Sequence, residues 1–112
     1  MKGDIYQPDD QATAADYADV GKAIDALERE IISVTVVNLT TSAQMYYKVL
    51  GANQASFIDA QVVQAEATLT VSSGQTPVGS FSSVAPLWRY YKVQVKLIGA
   101  PTTCRVTWIM KG

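Results

Sequence analysis

Trp88-Arg89-Tyr90-Tyr91-Lys92-Val93-Gln94-Val95-Lys96-Leu97-Ile98-Gly99 is the stretch that decides the fold. Tyr91, Val93, Val95 and Leu97 fall on one side of a two-residue period, and Tyr90, Lys92, Gln94 and Lys96 on the other. Aromatic and β-branched residues in that alternation specify a strand with one dry face and one wet face. Pro86 precedes the strand, and Gly99-Ala100-Pro101 closes it with a turn. A lone strand cannot keep its apolar side out of water, so the chain must supply neighbours and a second sheet.

From Ile32 onward the pattern stays β. Ile32 to Val37 alternates and runs into a polar turn over Asn38 to Ser42; Met45 to Leu50 is the next strand, closed by Gly51-Ala52-Asn53. Phe57 and Ile58 are expected to return to the core. Val63, Ala65, Ala67, Leu69 and Val71 form a long period-two face, ended by Ser72 to Pro77. Val78 to Val84 is a Ser-rich strand suited to a sheet edge. After the turn at Gly99–Thr102, Cys104, Val106, Trp108 and Met110 alternate inward. Tyr46-Tyr47-Lys48-Val49 echoes Tyr90-Tyr91-Lys92-Val93, as expected of two strands that each set one tyrosine inward and one outward. Short strands with regular turns predict a mainly β chain, an antiparallel, jelly-roll-like β-sandwich over residues 32–112.

The front of the chain reads differently. Residues 1–10 lack periodicity and predict an extended arm, with Pro8-Asp9-Asp10 as a breaker before a helix start. Residues 11–31 predict one α-helix: six alanines, early aspartates and no proline. Tyr17, Val20, Ile24, Leu27 and Ile31 are spaced 3, 4, 3, 4, an a/d seam of about two heptads. That seam either lies on the sandwich or forms a short bundle around an oligomer axis, with a trimer as the working guess. On this reading the sandwich folds without residues 1–31, which serve for docking and assembly.

One hundred and twelve residues suit a single domain. No apolar run approaches the ~20 residues of a membrane span, and the first residues do not read as a secretory signal. Cys104 is the sole cysteine, so no disulfide can form within these residues. The net charge of −1 conceals an imbalance: residues 1–31 hold eight acids against three bases, and residues 32–112 two acids against six bases. The acidic front can therefore dock on a basic β-domain, its own or a neighbour's.

Little chemistry is encoded. Histidine is missing, and with it the commonest general base and metal ligand. Cys104 sits in an inward slot, and Asp59 and Glu66 are the only carboxylates of the β region. No phosphate loop or metal-ligand cluster occurs, so neither catalysis nor a cofactor nor a metal is expected. Two surfaces could bind. Tyr90, Lys92 and Lys96, with Gln94, could face single-stranded nucleic acid, although the net charge argues against that. Trp88, Tyr90, Tyr46 and Trp108 could instead form a platform for a host-surface glycan, with Trp108 on the inward alternation.

The pair of stretches Met45-Tyr46-Tyr47-Lys48-Val49-Leu50-Gly51-Ala52-Asn53 and Trp88 to Lys96 resembles small β-sandwich proteins of tailed bacteriophages and prophages. The resemblance spans about residues 32–110 and rests on strand-and-turn chemistry. Gly51-Ala52-Asn53-Gln54 lacks the acidic residue that usually follows the asparagine, so no ligand role is carried to that turn. The resemblance implies a virion component of head-decoration, head-fibre or tail or neck accessory type. Such a protein works by contact with itself and with a capsid or other virion protein. A glycan-binding adhesion module is the alternative from another class.

Overall fold

The structure, a computed structural model, describes residues 3–39, 44–69, 78–97 and 103–112. The described residues form nine strands: β1 (Gly3–Tyr6), β2 (Gln11–Ala12), β3 (Ala18–Asp25), β4 (Ile31–Asn38), β5 (Met45–Ala52), β6 (Gln61–Leu69), β7 (Val78–Val84), β8 (Tyr90–Lys96) and β9 (Thr103–Lys111). The turns expected at 40–42, 72–77 and 99–102, and Val71, lie outside the described residues. One sheet runs β1-β9-β4-β7, with β2 also paired to β9; the other runs β3-β8-β5-β6. Every pairing is antiparallel. The sandwich expected from the alternating pattern is what these residues build.

The alternation sets the core. Tyr91, Val93, Val95 and Leu97 are buried, as are Ile32, Val34 and Val36 on β4 and Cys104, Val106, Trp108 and Met110 on β9. Tyr47 and Tyr91 point inward while Tyr46 and Tyr90 are only half-buried. Fully burying each such aliphatic side chain stabilises the fold by about 1.5–3 kcal/mol. Phe81 closes one side, its ring 6.4 Å from that of Tyr91 in the opposite sheet. Gly79 is needed at that point: a Cβ there would stand 2.5 Å from Cε1 of Tyr47.

No helix occurs among the described residues, so the helix over 11–31 is replaced by strands β2 and β3 and a turn. The stretch from Ala18 to Asp25 is instead a bulged strand. Val20 pairs with Val93 and Ile24 with Tyr91, so four residues of β3 advance against two of β8. Both side chains still land inward because an even spacing satisfies a strand as well as a helix. Gly21 makes the bulge possible at φ 70°, a left-handed conformation no helix can contain, and it lies beneath Pro8 and Tyr6. Pairing also decides the competition: without β3, the outer edge of β8 would have unpaired N–H and C=O groups.

The arm is likewise a strand of this sandwich. β1 pairs with β9, setting Ile5 opposite Ile109 and Tyr6 opposite Trp108. Two hydrogen bonds tether it further: the Lys22 amide donates to Tyr6 Oη at 2.9 Å, and the Thr107 hydroxyl donates to Gln7 Oε1 at 2.8 Å. Ile58 departs from expectation too, being 80% exposed, while Phe57 is half-buried at φ 59°.

Candidate interaction surface

The outer face of the β3-β8-β5-β6 sheet holds the residues expected to bind. Register places Tyr46 beside Lys96 and Lys48 beside Gln94 on β5 and β8, and Asp19 beside Gln94 on β3. Lys92 Nζ lies 3.2 Å from Asp19 Oδ2, Gln94 Nε2 donates to Asp19 Oδ1 at 2.8 Å, and Lys96 Nζ lies 3.3 Å from Glu66. Arg89 reaches Asp25 at 3.3 Å. The ring faces are covered by the same cations. Lys48 and Lys96 stand over Tyr17 at 4.3 and 4.8 Å, Lys92 over Phe57 at 4.4 Å, and Arg89 over Tyr90 at 5.1 Å.

Charge partition along the sequence thus becomes pairing across strands. Asp19 and Asp25 of the acidic front meet Lys92 and Arg89, while Asp10 takes Arg105 through two bonds of 2.8 and 2.9 Å. Asp4 pairs with Arg29. The Arg105 hydrogen bonds hold the Asp10 carboxyl below its ordinary value. Asp25 is lowered first by the Leu27 amide and then by Arg89, and Glu66 first by the Tyr17 hydroxyl and then by Lys96. Tyr17 is raised, by burial and then by its bond to Glu66. Exposed pairs of this kind are screened by solvent and add little stability each; two of them, Asp19 with Lys92 and Asp25 with Arg89, link β3 to the β8 side of the sheet. Lys92 and Lys96 each face a carboxylate, which weakens the pull of this face on a phosphate backbone.

The five residues of the expected seam scatter. Val20 and Ile24 are buried in the chain's own core. Tyr17 lies on the outer face with Glu66, Ile31 begins β4 between Val84 and Lys111, and Leu27 is 57% exposed in the turn. They share no face, so the assembly stripe read from them is withdrawn. Tyr90, Lys92 and Lys96 do share a face, already furnished with partners. The glycan platform is broken up: Trp108 is fully buried, and Trp88 leans on Gly51, where a Cβ would lie 2.6 Å from its Cδ1.

Chemistry is sparse. Asp59 accepts from the Asn53 and Gln54 amides at 3.1 and 3.3 Å and braces their loop, while Glu66 serves Tyr17 and Lys96. The two carboxylates therefore do separate structural work. Burial pushes the Cys104 thiol up to about 11. Among the described residues no group of His, Cys, Asp and Glu could hold a metal ion.

Sequence reasoning missed one end of the sandwich. Leu27, Leu87, Trp88, Arg29, Arg89 and Asn53 line a cleft of about 290 Å³ where three loops meet. Glu28 and Ala85 take positive φ there, and Leu87 is 81% exposed. Asp25 before the turn and Pro86 before Leu87 were the available signals of tight loops, but nothing in them tells that these loops converge.

No protein-family model and no curated protein matches this sequence. The fold is similar to solved structures. One is reported under the description "Bacillus endospore appendages form a novel family of disulfide-linked pili": TM-score 0.61, 17% identity, covering 98% of this chain and 86% of that one. Another is the infectious bursal disease virus VP2 subviral particle: TM-score 0.54, 12% identity, 98% of this chain against 33% of that one. The present chain thus spans about a third of the VP2 chain. At these identities the likeness is one of fold, a two-sheet antiparallel sandwich.

Proposed function

We propose that this chain is a non-enzymatic structural subunit that assembles with copies of itself, and more specifically a virion component of head-decoration or head-fibre type. The observation that carries the reading is how the polar groups are used. The candidate surface cations are paired internally, and the carboxylates Asp59 and Glu66 brace loop and strand. Support also comes from the two similar folds, both described as parts of larger assemblies, a pilus and a subviral particle. The phage resemblance of Met45 to Asn53 and Trp88 to Lys96 supports the finer assignment. The contact is read as non-covalent: Cys104, the one cysteine of these residues, is buried.

Immunogold labelling of particles purified from cells that make the protein tests this. Label on capsids or fibres is the expected result. Label confined to other filaments would refute the virion assignment, and label on no assembly at all would overturn the structural reading.

A further inference from the structure

Exposed strand edges distinguish themselves by how they are guarded. A long, flat, uncharged edge offers unpaired N–H and C=O groups to any other strand, and natural sheets blunt such edges with charge, proline, bulges or shortness. Three of the edges here follow that rule. β1 has four residues and carries Asp4, and β2 beside it has two. β3 has the Gly21 bulge and carries Asp19, Lys22 and Asp25. β6 carries Glu66 and meets β5 with two shifts of register.

β7 breaks the rule. Val78-Gly79-Ser80-Phe81-Ser82-Ser83-Val84 holds no charge and no proline, and it pairs with β4 residue for residue without a shift. Among the described residues no strand pairs with its other side. Val78 and Val84 at its two ends are 55% and 77% exposed.

The strand also reads nearly the same in both directions about Phe81. Laid antiparallel against a second β7 on a two-fold axis at Phe81, Val78 meets Val84, Gly79 meets Ser83 and Ser80 meets Ser82 of the second copy. Each pair comes from one face of the sheet, since Val78, Ser80, Ser82 and Val84 are all exposed while Gly79, Phe81 and Ser83 are half-buried. No charge opposes a like charge, and an apolar pair closes each end. Such self-complementarity is what an isologous contact requires.

We infer that β7 pairs with β7 of a second copy of this chain, joining two β1-β9-β4-β7 sheets into one continuous sheet by strand addition. This rests on the self-assembly reading above and names the surface it uses.

The test uses the full chain and two double variants, Ser80→Lys with Ser82→Lys and Ser80→Glu with Ser82→Glu. Both sites are exposed, so each variant should keep the parent's circular dichroism. Light scattering should give an even multiple of the subunit mass for the parent and half that mass or less for either variant alone. An equal mixture should recover the parent's mass, because the lysines introduced in one copy would then face the glutamates introduced in the other. A parent oligomer that the lysines leave intact, or variants that the mixture does not rescue, overturns the β7 pairing and leaves self-assembly standing. A parent of single-subunit mass overturns both. Hydrogen exchange on the parent needs no variant: β7 amides should slow as concentration rises, and rates independent of concentration while oligomers form would overturn the pairing.

Discussion

Ile24→Ala and Leu27→Ala separate the strand from the helix reading at two positions that an a/d seam would make equivalent. Ile24 is 4% exposed and faces Tyr91 across the β3–β8 pair, whereas Leu27 is 57% exposed in the turn. Truncating Ile24 removes three buried carbons, about 2.4 kcal/mol at roughly 0.8 kcal/mol each. The cavity left behind adds to that, and an edge strand can relax to fill part of it, so about 3 kcal/mol is expected. For a domain of this size that is a fall in Tm of roughly 10 °C. Leu27→Ala should cost less than about 0.5 kcal/mol. Urea unfolding followed by tryptophan fluorescence reads both, because Trp108 is wholly buried in the folded state. Equal losses at the two sites, or a loss below about 0.5 kcal/mol at Ile24, would refute the packing described for β3.

Four further outcomes follow from the same structure. A chain beginning at Ile32 should stay unfolded, because it lacks β1 to β3 and bares the edge of β8; a cooperative melt of that fragment would contradict this. Gly79→Ala should destabilise by about 1–3 kcal/mol through overpacking on Tyr47, read by thermal melting, and an unchanged Tm would show that the ring has room. Asp10, Asp25 and Glu66 have folded-state carboxyl values held below their ordinary ones, so their contribution is present above the unfolded values. It should fade as pH falls through the folded values, giving a modest drop in Tm in acid and none between neutral and mildly alkaline pH. Cys104, raised to about 11 and buried, should resist thiol reagents at neutral pH until the protein is denatured; prompt labelling of the native chain would place the thiol at the surface.

Where one face of a strand is buried and the other wet, the sequence could be read directly. Tyr91 to Leu97, Ile32 to Val36 and Cys104 to Met110 show this, and so does the Ser-rich edge Val78 to Val84. The front could not be read this way. Val20 and Ile24 keep an even spacing that serves both periods, and alanines favour a helix locally while the open edge of β8 demands a strand. Tertiary pairing overrode propensity there, with Gly21 as the one residue that tells the two apart. The imbalance of charge along the chain was plain, but which acid meets which base depends on β3 lying beside β8, a fact of topology. Loop convergence at Leu27, Asn53 and Trp88 is topological in the same way, so the cleft there had no linear signature.

The account stands most directly on the mass of the intact chain in solution, measured by light scattering from dilute to concentrated samples with reductant present. A stable multiple of 12.1 kDa that reductant leaves unchanged is the result expected of a subunit that assembles by non-covalent contact. A mass of 12.1 kDa at every concentration would contradict it.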